Sequence, residues 1–463
     1  MKRALLAGAG IATFGLAQAT IILDAPFNSH MVLPARAHLT ISGRSTLAEE
    51  QNITFTKSWN SVTKTFRTRK DGRFSFRVFT PPAGGPYLFH FTDADGTLTL
   101  WNVAFGKVIL VMGQSNAEMP LYAPPSGYPE IPGALNEINS VNLPNLRYAR
   151  ISSNPSETPI TSLTTYWYGA TSPSVGALSA IGYFTGKALH LETGVPVGII
   201  QVARGGSRIE EWMPRNLIAT LPGGPAELNE EASSSYGQVY NAGLFPLRNF
   251  KVDGLIWYQG EANAQYADTY EDRLKAFLDM TQRMFHIRGK HLVQQVVEIT
   301  PLTTADANGR PWIRAIQNRV ADTPTTTMVP SADLTPEITS PHPVSKQALG
   351  TRIASFFEVA FGQGANPVRP RLGSPSWQPD GSVLLPVFGG APPYHLTANN
   401  GFSLVNQAGM PIAATAVMEG NNVRVSNFSV VNPTGVRYMW SAAGQPTLFD
   451  AAGLPVGVYA SDR

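Results

Sequence analysis

The chain has no cysteine among its 463 residues, which excludes disulfides, thiol nucleophiles and cysteine-ligated metals. Charge is sparse too. Only 14% of residues are Asp, Glu, Lys or Arg, the formal net charge is +3, and the basic residues form no block. A nucleic-acid partner is therefore not expected, because it would require a clustered basic surface. The HExxH motif and paired-histidine spacings are missing, so a metal is not expected. Long apolar runs are missing except at the N-terminus. There Lys2 and Arg3 precede an apolar stretch, Ala4 to Ala17, broken by Gly8, Gly10 and Gly15 and closed by Ala17-Gln18-Ala19. That pattern reads as a signal peptide over residues 1–19, cut after Ala19, and it is too short for a comfortable membrane span. The expected location is periplasmic or extracellular, with no membrane attachment after cleavage.

Without disulfides the fold must be held by packing, and the punctuation of the chain divides that packing into regions. From Ile21 to about Asn102, short alternating runs such as Arg73-Phe-Ser-Phe-Arg-Val-Phe79 are separated by turns at Asp71-Gly72 and Gly84-Gly85-Pro86. Strands at this spacing without helices suggest a β-sandwich, jelly-roll-like domain over 20–102. From about Val103 the pattern changes to apolar, β-branched runs alternating with helical ones, which suggests a parallel sheet flanked by helices over 103–362. Expected strands are Val108–Met112, Val197–Ala203, Gly254–Tyr258 and His291–Val297. Expected helices are Ala177–His190, Tyr270–Phe285, Pro311–Asp322 and Ser345–Phe361. Ala123 to Pro173, rich in Pro, Ser, Asn and Thr, is expected to loop over the carboxyl edge of the sheet. Gly362-Gln-Gly-Ala-Asn-Pro367 reads as a linker to a β-rich region over 363–463.

Four stretches place small or polar residues where a strand ends or a helix begins. The strand Val108–Met112 stops at Gly113 and is followed by Gln114, Ser115 and Asn116. A serine at a sharp turn after a buried strand is how α/β esterases present a nucleophile. After Val197–Ala203 come Gly205 and Gly206, whose backbone N–H groups no side chain covers, so they can bind an oxyanion. After Gly254–Tyr258 come Gln259, Glu261 and Asn263, with amides that can donate to a negative oxygen and a carboxylate that can brace a loop. The fourth is Ser340-Pro-His-Pro-Val-Ser-Lys346, in which Pro341 and Pro343 stiffen the loop around His342. Of eight histidines only His342 has such a frame, which suits a general base that must stay aimed.

At these stretches the chain resembles the sialate O-acetylesterase family of SGNH-type (GDSL-like) carbohydrate esterases. The resemblance is carried by Gly113-Gln-Ser-Asn116, Gly205-Gly206 with Trp212, Trp257-Tyr-Gln-Gly-Glu-Ala-Asn-Ala264, and His342-Pro343 with Lys346, Gly350 and Arg352. It extends to Met31-Val-Leu33, Tyr240-Asn241, Arg314 with Gln317, and Tyr438-Met-Trp440, and so covers nearly the whole mature chain. It implies a flavodoxin-like three-layer α/β/α hydrolase domain with accessory β domains at both ends and no cofactor. It also implies Ser115 as nucleophile and His342 as general base. The oxyanion hole would use the Ser115 and Gly206 N–H groups plus an amide from Gln259 or Asn263. Gln114, Asn116, Gly205, Glu261 and Trp212 would support the site or the substrate. One position departs from the family pattern. Where an aspartate usually precedes the histidine by two or three residues, this chain has Ser340 and Thr339. Either Glu337 or Asp333 orients His342, or a backbone carbonyl does so and a Ser–His dyad operates.

The resulting expectation is an exported serine esterase that removes O-acetyl groups from a sugar or polysaccharide. O-acetylated sialic acid and a plant cell-wall polysaccharide such as xyloglucan are the two substrate readings, with Tyr166, Trp167, Tyr168 and Trp212 available to stack on sugar rings. The rivals are a non-catalytic carbohydrate-binding protein derived from an esterase, and a general carboxylesterase or lipase-like enzyme.

Overall fold

The structure is a computed structural model that describes residues 20–462 apart from 48–49, 123–126, 224–233, 304–308, 336–337 and 364–367. The signal segment, Glu337 and most of the expected linker lie outside the described residues.

The N-terminal region contributes β1 (Ile21–Leu23), β2 (Val32–Pro34), β3 (His38–Ser45), β4 (Asn52–Lys57), β5 (Asn60–Arg67), β6 (Arg73–Phe79) and β7 (Gly84–Thr92). Strand alternation does the work here. In β6, Phe74, Phe76 and Val78 point inward while Ser75, Arg77 and Phe79 stay exposed. The β1-β3-β6 sheet and the sheet holding β4 face each other through aromatic rings, Phe55 and Phe76 having centroids 4.9 Å apart.

No linker separates this module from the next. β8 runs unbroken from Thr97 to Gly113, straight through the boundary expected near residue 102. Its first half pairs antiparallel with β7, and from Lys107 it pairs parallel with β11 (Val197–Ala203). Gly106 marks the change of partner, since a Cβ there would lie 1.8 Å from the Pro196 carbonyl oxygen.

The central sheet has the order β10-β9-β11-β8-β12-β13-β15-β14. Its other members are β9 (Asn142–Arg150), β10 (Trp167–Thr171), β12 (Gly254–Tyr258), β13 (Val293–Val297), β14 (Asp322–Thr323) and β15 (Thr326–Val329). β10 and β14 run antiparallel at the two edges. Val108 to Met112 are all fully buried, as their β-branched, apolar run requires. Ile109 and Val111 pack toward the helices Ala180–Thr193 and Lys346–Gln363. Val108, Leu110 and Met112 pack toward the helices Ala267–Phe285 and Arg310–Val320. Burying each such side chain is worth about 1.5–3 kcal/mol, so this strand anchors both faces.

The chain leaves β8, builds β9 and β11 on one side of it, then crosses to β12 on the other. The carboxyl end of β8 is therefore a topological switch point, where loops diverge and leave a crevice. The segment expected to be loop from Ala123 to Pro173 is partly structured instead: it holds the helix Ala134–Ser140, β9 and β10. β9 buries only its second half, from Leu146 to Ala149, and Pro144 interrupts the first, so its alternation is hidden in the sequence. Beyond residue 370 the chain returns to strands, which dock on the helix Arg310–Val320 through Trp312 against Trp440 at 4.1 Å. Among the described residues no helix is long and apolar enough to cross a membrane.

Candidate active site

Gly113 ends β8 with φ +138°, and a Cβ there would sit 2.1 Å from the Tyr258 carbonyl oxygen. Glycine is thus required for β8 to turn beside β12. Gln114, buried, accepts from the backbone of Gly260 at 3.3 Å and Ala262 at 3.2 Å, which ties the β8 turn to the loop after β12. Ser115 then begins the short helix Ser115–Glu118 and is half-buried.

The glycine pair after β11 comes to the same place. Gly205 N–H donates to Glu118 Oε2 at 2.8 Å, and a Cβ on Gly205 would lie 3.8 Å from Ser115 Cβ. Gly206, exposed and at φ +70°, offers an N–H that no described residue accepts. Ser115 N–H is also without a partner among the described residues. Among the described residues, two backbone donors, those of Ser115 and Gly206, are therefore unspent at this corner.

His342 reaches this corner from the loop before the last long helix. Its backbone N–H donates to Ser340 Oγ at 3.1 Å, and Tyr128 meets its ring edge-on at 5.0 Å. Tyr128 OH donates to the same Glu118 oxygen that holds Gly205, so Glu118 links the histidine's neighbour to the glycine turn. Asn116 makes the second link. Its Nδ2 donates to Glu261 Oε1 at 2.7 Å and to the Pro341 carbonyl at 2.9 Å, while its Oδ1 accepts from Lys346 Nζ at 2.7 Å. The residue after Ser115 thereby grips the residue before His342. Burial, and then the Lys346 charge, lower the His342 pKa from its ordinary value, while Glu261 pulls the other way. A lowered value keeps the ring neutral and ready to accept a proton near neutral pH.

Among the described residues no hydrogen bond reaches the His342 ring, from Ser115 or from an acid. Asp333 is spent elsewhere. Its two oxygens take Arg352 at 2.7 and 2.6 Å.

The amides after β12 are deeper than their sequence suggests. Gln259 Nε2 donates to the Ser207 carbonyl at 3.2 Å and to Asn263 Oδ1 at 2.7 Å. Asn263 Nδ2 donates to Glu210 at 3.0 Å, and Glu210 forms a buried ion pair with Arg273 at 2.6 Å. Asn263 Oδ1 also accepts from Ile209 N–H at 3.0 Å, three residues beyond Gly206. Trp212 and Trp167 are core residues, donating to Ser207 Oγ and the Pro26 carbonyl, so neither is a sugar platform. Tyr166 and Tyr168 are exposed. Sequence reasoning missed Glu118 and Tyr128; the only trace of Glu118 was its place one helical turn after Ser115.

Over nearly its whole length the chain is similar to a carbohydrate acetylesterase from Xanthomonas citri, with TM-score 0.83 and 26% identity, covering 96% of this chain and 99% of that one. The family described as carbohydrate esterase, sialic acid-specific acetylesterase matches residues 141–358. The sialate O-acetylesterase of Homo sapiens is 27% identical over 280 residues, covering 56% of this chain and 52% of the relative. That of Mus musculus is 25% identical over 306 residues, covering 56% and 55%. The chain thus spans about half the length of these mammalian relatives. The chain is similar to the sialate O-acetylesterases among carbohydrate esterases. The matched segment starts beyond Ser115, yet β8 lies inside the sheet that segment builds.

Proposed function

We propose that this chain is an exported serine esterase that removes O-acetyl groups from carbohydrate through an acetyl-serine intermediate. Its catalytic domain would be the flavodoxin-like three-layer unit over residues 103–362, between two β modules. The observation that carries the reading is the convergence of Ser115, the free Ser115 and Gly206 N–H groups, and His342, whose loop is tied to the serine's turn through Asn116.

In this mechanism Ser115 Oγ attacks the acetyl carbonyl carbon while His342 takes the hydroxyl proton. The carbonyl oxygen, now negative, is held by the two N–H donors. The intermediate collapses, the C–O bond to the sugar breaks, and the imidazolium returns its proton to the leaving sugar oxygen. Water, deprotonated by His342, then attacks the acetyl-serine and releases acetate. The serine–histidine contact closes when substrate excludes water, as such contacts commonly do. Gln259 or Asn263 could add a third donor only by leaving its present partner. We favour a bracing role for both. Asp333 is engaged by Arg352, which favours a dyad over a triad that uses it.

Relatives matched over about half their length act on sialate esters by name, whereas the Xanthomonas citri protein, matched end to end, is named only for carbohydrate. A second substrate reading is an acetylated plant polysaccharide such as xyloglucan, for which the exposed Tyr166 and Tyr168 offer rings to stack on sugars. Acetate release from acetylated xyloglucan and from a 9-O-acetyl sialoside, by wild type and Ser115→Ala side by side, tests both. Serine-dependent release from one substrate supports the reading and names the substrate. Release that survives in Ser115→Ala contradicts it.

A further inference from the structure

Lys346 is anomalous on three counts. It is 0% exposed, although lysine is almost never fully buried unpaired. It opens the helix Lys346–Gln363, where the helix dipole disfavours a cation. Among the described residues its ammonium donates only to a neutral group, Asn116 Oδ1 at 2.7 Å, and otherwise lies over the Tyr258 ring, 5.3 Å from its centroid. Glu261 is anomalous in the opposite sense. One carboxylate oxygen accepts from Asn116 Nδ2 at 2.7 Å, while the other, Oε2, is buried without a partner among the described residues. An acid and a base thus share one bridging amide and form no direct ion pair. Placing them in contact would have cancelled much of their fields. Holding them apart on Asn116 leaves both fields acting on their surroundings, and those surroundings include His342.

We propose that Glu261 and Lys346 are positioning residues that together replace the missing histidine-orienting aspartate. Through Asn116 they clamp the His342 loop to the serine's turn, and through their opposed charges they set the basicity of the ring. The division of labour follows from the bonds. Asn116 can give both amide hydrogens, one to Glu261 and one to the Pro341 carbonyl, only if its oxygen faces a donor, and Lys346 is that donor. Burial lowers the Lys346 pKa to about 7, so the ammonium stays charged through the lower range in which His342 takes up its proton. The charged and titratable groups facing His342 are Lys346 on its own loop-to-helix junction, Glu261 from the β12 loop, Arg310 from the neighbouring helix, and Tyr128 with Glu118 from the opposite side. Of these, burial and Lys346 push the ring down most, and Glu261 opposes them.

This inference rests on the esterase reading for its purpose, but its test does not need turnover. In the full chain labelled at histidine, the His342 ring signal, assigned by its loss in His342→Gln, is followed by NMR against pH. Glu261→Gln removes a negative charge and should move the His342 titration down. Lys346→Gln removes a positive charge and should move it up. Each shift is expected to be about half a pH unit or more. Either variant decides by its sign alone, and Lys346→Met serves as a second replacement if glutamine unfolds the chain. Opposite shifts support the proposal even if no ester proves to be a substrate. A titration that stays put, or moves the same way in both variants, overturns it even if the esterase activity is established.

Discussion

Two neighbouring corners of the sheet both gather asparagine, glutamine and glutamate, yet they are finished differently. At the carboxyl end of β12, Gln259 has its amide hydrogens on the Ser207 carbonyl and on Asn263 Oδ1, and Asn263 donates to Glu210, whose charge is met by Arg273. At the end of β8, Asn116 is equally occupied, but around it stand a lone buried ammonium, a half-partnered carboxylate and backbone N–H groups with no acceptor among the described residues. Burial of a polar group is costly unless it is bonded, so the first corner is what stability alone would produce. The second tolerates unspent polarity, and unspent polarity in a crevice is the mark of chemistry.

The contrast can be broken most forcefully at its centre. Ser115→Ala should lower kcat on p-nitrophenyl acetate by about 10⁴-fold or more with an unchanged melting temperature. His342→Gln should cost roughly 10³-fold, within the usual range for a general base, again with the fold intact. Asn263→Ala should do the reverse. It would strip Glu210 and Ile209 of their partner and cost about 2–4 kcal/mol of stability, read as a falling melting temperature, while kcat of the folded protein changes less than about tenfold. Were Asn263 instead a direct oxyanion donor, kcat would fall far more than the melting temperature. The smallest expected effect is on pH. The base must be neutral to act, so kcat/KM should rise with pH through the His342 pKa. Because burial and Lys346 hold that pKa down, the midpoint should lie below the ordinary 6.5.

Much of this was legible from residue order. The buried run Val108–Met112, the glycine that ends it and the strands beginning at Val197 and Gly254 carry their structure in local pattern, because a doubly covered parallel strand is written as an apolar run. The helix expected from Ser345 to Phe361 is seen from Lys346 to Gln363, its stripe of Leu349, Ile353, Phe356 and Phe357 fully inward. β9 escaped notice because only half of it is buried, and the continuity of β8 through residue 102 because a change of partner leaves no mark on a strand's own alternation. Ser115, Gly205 and His342 could be picked out by kind, since hydroxyl, bare backbone and proline-framed imidazole each suit a step. The partnerships could not. That Glu118 holds Gly205, that Gln259 is consumed by structure, and that Lys346 ends on Asn116 depend on contacts between residues far apart in the chain.

The proposed chemistry is that the corner at the end of β8 makes and breaks an acetyl-serine. It is tested most directly by quenching the wild-type protein in acid during turnover of an activated acetyl ester and mapping the modified peptide by mass spectrometry. One acetyl group on Ser115, absent from Ser115→Ala and persisting longer in His342→Gln once the activated ester has acylated it, is the result expected. Turnover that proceeds with no acetyl on Ser115, or with the acetyl on another residue, would contradict it.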